Sequence, residues 1–477
     1  MPSANYLAEL AKRQQDPVHF LRIDDLASKD YSTHPVLSAA TPKTVLMEVP
    51  RGGGGSLDLV SAAWSVQEVE LELLDKNGEI TAMIATEAPG APLASLVNRK
   101  ATVYGGFRPL VEADYEPRFT GRIRRVRRND RGTGFVLTLS DLGYLLSGRI
   151  MLTATADKPA SIRGNPVNVY WSLLTGTFDT GHATFPLEFV STASANSVAP
   201  TGLGIATSLI NEAQLVSERD TWHAGDVVHV VWTAPEDARA HLTNELFRVF
   251  QSYPAISATG LLGLRFHVPS LPIGGAVAVS EREIVEIHSW ERLFDDHMNR
   301  FTVMGDWSDL SRTYERVLYQ TSDAADQSET GETIEYLAES RWLRQAHDGE
   351  GISWELAERM RLRFLKPPAR IEISVLPSVL VAQGDVVKLS ETELPDLFTG
   401  SLGLVDHVMT VLAVRPEWDT GLTRLTLLDT GGKRYGLISG DAQVDYAAAS
   451  VIDRETYAFI SSDAPAMSDG SRAYGLL

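Results

Sequence analysis

Residues 66–74 read VQEVELELL, with Glu68, Glu70 and Glu72 at every second position. A period of two puts those carboxylates on one face and apolar side chains on the other, the pattern of a half-buried β-strand. Asp75-Lys-Asn-Gly78 follows, an Asn-Gly turn signal. Residues 101–107, 119–128 and 135–141 repeat the strand pattern, and Arg131-Gly-Thr-Gly134 is a tight connection between the last two. The stretch 57–142 therefore predicts a compact β-barrel or sandwich.

The chain upstream, 1–56, reads as an N-terminal arm. It has a short helical pattern at Tyr6, Leu7 and Leu10, a strand near 18–23, a Ser/Thr/Pro-rich stretch over 31–42, and Arg51-Gly-Gly-Gly-Gly-Ser56. The glycine run reads as a flexible linker or mobile loop. A phosphate cradle would need a following Lys-Ser/Thr and a helix.

Downstream, 143–270 predicts a mixed α/β domain. Asn165 caps a helix that has Pro166 at its first position, a short helix falls near 202–213, and an amphipathic helix over 234–251. A second mixed domain, 271–369, ends in a helix over 353–364 capped by Ser353, with Glu355 and Glu358 spaced to pair with Arg359 and Arg361. Residues 370–436 are β again. The hairpin connection Trp418-Asp-Thr-Gly421 links 408–415 to 423–428, and 437–477 is a polar C-terminal extension. The fold class is mainly β with α+β insertions: two small β-barrel or sandwich domains of similar size and texture, and two mixed domains.

The 477 residues carry 43 Lys+Arg and 62 Asp+Glu, a formal net charge of −19, which argues against general nucleic-acid binding. The chain has no cysteine, which removes disulfides, thiolate nucleophiles and Cys-ligated zinc. The sequence shows no signal peptide and no apolar run near about 18 residues, so neither export nor a membrane span is expected.

Chemistry-bearing motifs are scarce. The eleven histidines form no His-Glu-x-x-His, and no nucleophile elbow, phosphate loop or dinucleotide fingerprint occurs. Paired acids stand at Asp24/Asp25, Asp295/Asp296 and Glu391/Glu393. A glycan hydrolase would need two such groups across a rigid cleft. The tryptophans beyond residue 170 are spread widely, which suits core or interface anchors and leaves a carbohydrate-binding groove as an alternative. No catalytic, cofactor or metal residue is assigned.

The run Arg122, Arg124, Arg125, Arg127, Arg128, Arg131 is the densest charge feature. As a regular strand it places Arg122, Arg124 and Arg128 on one face, with Arg125 and Arg127 on the other. It reads as a solvated hairpin, or as a contact with acidic residues of another subunit. A nucleic-acid reading lacks interleaved aromatics. With Glu68, Glu70, Glu72 and Trp418 these arginines are the candidate interface residues.

Three segments, in order, resemble the tail-tip (baseplate) hub proteins of long-tailed bacteriophages. They are Phe119-Thr-Gly-Arg-Ile123 after the strand at 101–107; Gly164-Asn-Pro-Val-Asn-Val169 running into Leu173-Leu-Thr175; and the series from Trp354-Glu-Leu-Ala-Glu-Arg359 through Gly384-Asp-Val-Val387 and Leu394-Pro-Asp396 to Trp418-Asp-Thr-Gly421 and 425–429. The resemblance covers roughly 57–436. It implies a non-enzymatic structural protein of the virion tail tip, assembled in the host cytoplasm. Three chains with two tube-type barrels each would close a pseudo-sixfold ring. It further implies contacts with a distal tail-ring protein, a tape-measure protein and tip or receptor-binding proteins, with phage DNA met only by passage through a channel. A virion-associated glycan or peptidoglycan hydrolase and a carbohydrate-binding adhesin are the alternatives.

Overall fold

The computed structural model describes residues 3–10, 16–24, 30–33, 48–75, 98–189, 198–257, 259–267, 276–308, 313–345, 351–397 and 400–430, with short pieces at 78, 80–81, 96, 311, 437–438 and 457–458. Most of the expected C-terminal extension and part of the Asn-Gly turn at 75–78 lie outside the described residues. The fold is mainly β with helices, built around two large curled sheets.

The first sheet holds β1 (Pro17–Ile23), β2 (Asp30–Ser32), β3 (Arg51–Gly52), β5 (Glu68–Leu74), β6 (Lys100–Phe107), β7 (Glu116–Arg128) and β8 (Gly134–Ser140), in the order β2-β1-β6-β7-β8-β5-β3. β4 (Gly55–Ser56) leaves it for the second sheet. That sheet comprises β9 (Val277–Ser280), β10 (Ile284–Arg292), β11 (Ala369–Val375), β12 (Val386–Pro395), β13 (Leu402–Pro416) and β14 (Thr423–Asp429), ordered β9-β12-β13-β14-β11-β10. β1 is a full member of the first sheet although the sequence places it in the arm. Likewise β9 and β10, from the stretch read as a mixed domain, belong to the second sheet.

The two sheets are copies of one plan. Exchanging β1 for β9, β3 for β10 and β5–β8 for β11–β14 leaves the six-strand order unchanged. Register agrees as well. In the first sheet Ile123 opposes Leu139, Arg124 is looped out, and Arg125 opposes Thr138. In the second Val411 opposes Leu427, Leu412 is looped out, and Ala413 opposes Thr426. Each copy carries a second bulge in its next pair, after Val103 in one and after Leu389 in the other. The inward residues Val69, Leu71, Leu73, Leu137 and Leu139 fill the first core; Ile371, Ile373, Val375, Leu425 and Leu427 fill the second at the same register positions. Two bulges at matched positions are a strong mark of common design, because each bends the strand and re-aims its side chains. The copies differ at one edge: β1 runs antiparallel to β6, whereas β9 runs parallel to β12.

The largest apolar cluster among the described residues comes mostly from the chain that connects the two sheets, fed by the helix Pro166–Thr175, the helix Glu212–Trp222 and the helix Ile352–Phe364. Asn165 caps the first of these by accepting from the Val167 amide, as the sequence indicates. The second begins only at Glu212, so it overlaps the end of the stretch 202–213 and runs on to Trp222. In the third, Gly351 occupies the cap and Ser353 is buried inside the helix, so the expected serine cap does not form. The pairs Glu355–Arg359 (2.7 Å) and Glu358–Arg361 (2.8 Å) do form. A polar lock joins two parts of this region: Arg341 grips Glu236 with two nitrogens at 2.7 Å and Glu245 at 2.8 Å.

Candidate assembly interface

Among the described residues neither curled sheet closes into a full barrel through its own hydrogen bonds. The first is closed by the second. The hairpin between β13 and β14 turns through Gly421, whose φ of +74° a glycine adopts without strain. It carries Trp418 into the core of the first sheet. The indole Nε1–H donates to the Gly52 carbonyl on β3 (2.7 Å), while the Trp418 carbonyl accepts from His19 Nε2 on β1 (2.9 Å). β1 and β3 lie toward opposite ends of the sheet, so one residue spans the gap, with its main-chain carbonyl on β1 and its indole on β3. The His19 and Trp418 rings meet edge-on at 5.2 Å. A carbonyl only accepts, so His19 carries its proton on Nε2. Burial holds the imidazole below its ordinary pKa, and the bond to the Trp418 carbonyl opposes this only in part.

The glycine run 51–56 is an ordered staple across this joint, not a linker. β3 pairs with β5 of the first sheet, and three residues later β4 pairs with β13 of the second. A Cβ on Gly53 would stand 2.9 Å from Val69 Cγ2 and 3.2 Å from the Trp418 ring, at a φ of +86°. One on Gly54 would collide with the Arg415 side chain. Glycine is required here by close backbone approach, and composition alone cannot tell that case from flexibility.

The candidate charges converge on the outer face of the first sheet. The bulge at Arg124 shifts the alternation, so Arg122, Arg125 and Arg127 share this face, a correction to the regular-strand reading. Across β8 they line up with Glu68, Glu70 and Glu72 respectively. The result is an acidic stripe and a basic stripe separated by one strand, with Arg127 and Glu70 at 3.7 Å. Arg124 instead lies over the Tyr144 ring, 3.9 Å from its centre. Arg128 bonds the Gly132 carbonyl in its own hairpin. Glu68 accepts from Ser140, and Glu72 from Asn129.

The remaining chemical candidates stay apart. Asp295 and Asp296 sit on the turn Phe294–Asp296, and Glu391 and Glu393 on β12. Asp24 is at the end of β1, and Asp25 lies outside the described residues. Among the described residues no group of three or more His, Cys, Asp or Glu could hold a metal ion, and no helix is long and apolar enough to cross a membrane. Sequence reasoning missed Trp64, buried in the central cluster under Arg239, and it missed the depth of the duplication. The signal was present: Leu137-Thr-Leu-Ser-Asp141 and Leu425-Thr-Leu-Leu-Asp429 end the matching strands.

No protein-family model and no curated protein matches the chain. Solved structures similar to it include phage tail and baseplate proteins. It is similar to the 43 kDa tail protein of prophage MuSo2 from Shewanella oneidensis, with 12% identity, 87% of this chain and 98% of that one covered, and a TM-score of 0.41. A tail protein from Neisseria meningitidis MC58 gives 11% identity, the same coverage and a TM-score of 0.42. Prophage tail protein gp18 from Listeria monocytogenes EGD-e gives 9%, with 87% and 94% covered and a TM-score of 0.39.

Proposed function

We propose that the chain is a structural hub of a phage tail tip, three copies of which form a pseudo-sixfold ring joining the tail tube to the tip and host-recognition proteins. The observation that carries this reading is the duplication: two sheets of one strand order, one register and one bulge pattern, joined through the hairpin that buries Trp418. A chain of this kind offers two similar wedges, and three such chains offer six. Closed rotational symmetry makes the assembly finite. The partners in this reading are further copies of the chain, a distal tail-ring protein, a tape-measure protein and tip or receptor-binding proteins. DNA meets the ring only in passing, through a channel whose acidic balance discourages sticking. The protein acts as scaffold and not as enzyme; it resides at the virion tail tip after assembly in the host cytoplasm.

The test is the mass of the purified protein in solution, followed by averaged images of the particle. A trimer with three long and three short intervals between six similar lobes is expected. A protein that stays monomeric at every concentration, or that assembles with only twofold symmetry, would refute the reading.

A further inference from the structure

We infer that the contact between copies reuses the joint seen once inside the chain: the β7–β8 hairpin of one copy docks on the rim of the second sheet of the next. This rests on the ring-forming reading above and names the surface that would build the ring. Inside the chain, the β13–β14 hairpin docks on a rim of the first sheet made by His19, Gly105, Phe107 and Arg118. Register equivalence locates both partners of the second joint. Pro416 and Leu422 correspond to Arg128 and Gly134, so the docking hairpin is 129–133. Gly105 corresponds to Glu391, Phe107 to Glu393 and Arg118 to Asp406. His19 pairs with Gly105, and the residue in that place beside Glu391 is Glu281, one step beyond β9.

The charges are inverted on both sides. The inner joint sets Arg118 near a hairpin bearing Glu417 and Asp419. The proposed outer joint sets Glu281, Glu393 and Asp406 against Arg127, Arg128 and Arg131. Either hairpin on the wrong rim would bring like charges together, which selects the alternating order around a ring. The outer rim is open: Glu281, Glu393 and Asp406 are exposed, and beside them Val405 and Leu402 are 83% and 74% exposed, the highest values among the described large apolar side chains. The plug also differs in the way such a joint requires. Where the first sheet has Gly52, leaving room for Trp418, the second has its own Trp290 packed against its core, and the hairpin has Asp130 where the other has Trp418. The inner joint is anchored by a buried tryptophan; the outer one is polar, suited to subunits that are soluble before they assemble.

Sedimentation of R128E/R131E, of E281R/E393R and of the fourfold variant tests this. Each double variant should weaken self-association about tenfold or more, with a matching loss as salt is raised, and the fourfold charge exchange should restore it. Because the chain has no cysteine, Asp130→Cys with Thr392→Cys gives a second readout that does not depend on charge. Oxidation should link copies into dimer and trimer bands. If the wild type assembles but both doubles assemble equally well and no linked bands form, the hairpin contact is wrong while the ring reading stands. If the wild type never assembles, the ring reading fails first and takes this contact with it.

Discussion

Trp418→Ala should loosen the first sheet more than the second, although Trp418 belongs to the second. Its indole lies in the core of the first sheet and is 6% exposed. Truncating a buried aromatic of this size costs about 3–5 kcal/mol, and the lost Nε1–H bond to Gly52 adds about 1 kcal/mol. The sum, about 4–6 kcal/mol, acts on the gap between β1 and β3, since these are the strands the residue bridges. Amide hydrogen exchange resolves it: protection in β1, β3 and β5 should fall roughly a thousandfold to ten-thousandfold at native pH. The ladder between β13 and β14 runs through its own backbone pairs and should keep most of its protection. Trp418→Phe should fall between, retaining ring burial without the donor. If protection is lost equally from both sheets, or from the second alone, Trp418 does not close the first sheet and the account of the joint is refuted.

Three further outcomes follow from the same geometry. Gly53→Ala should cost about 2–4 kcal/mol in denaturant titration, from a left-handed φ and the close approach to Val69 and Trp418, whereas a truly flexible segment would accept alanine at no cost. Burial alone would raise the Glu236 carboxyl, but hydrogen bonds from His241 and Arg341 hold it down at about 2 from an ordinary 4.5. A depressed acid stabilises the fold above its unfolded pKa and loses that contribution as pH falls through the native one. Between pH 4.5 and about 2, then, up to about 3 kcal/mol should disappear in the wild type and not in Glu236→Gln, as followed by acid titration of the circular dichroism signal. His19 has the opposite chemistry. A buried base with a lowered pKa adds nothing above the unfolded value of 6.5 and is increasingly unfavourable below it, so acidification through that value should weaken the joint. A His19→Gln variant showing the same pH slope as wild type between pH 7 and 5 would count against that role.

The strands at 66–74, 101–107 and 423–428 were legible because alternation is a local property of half-buried sheet. The helix at 166–175 was legible because Asn165 and Pro166 sit where a helix start needs them. The start of the helix at 352–364 was not, since Ser353 is an equally good cap by type and only packing assigns it to the interior. The arginine run was legible as an exposed hairpin. Its facing was not, because the bulge at Arg124 shifts every later residue by one and leaves no mark in the alternation.

What the sequence determined by itself was the fold class of the protein: strands by their period, and two similar β segments by their shared texture. What only the tertiary structure decided was how those segments meet. Whether a glycine run is slack or wedged depends on the atoms brought against it from residues hundreds of positions away, as Arg415, Pro416 and Trp418 are brought against Gly53 and Gly54. Whether a tryptophan fills its own barrel or its neighbour's depends on the register of strands that are not adjacent in the chain. Both are consequences of close packing at long range, which a local pattern of residue types does not encode.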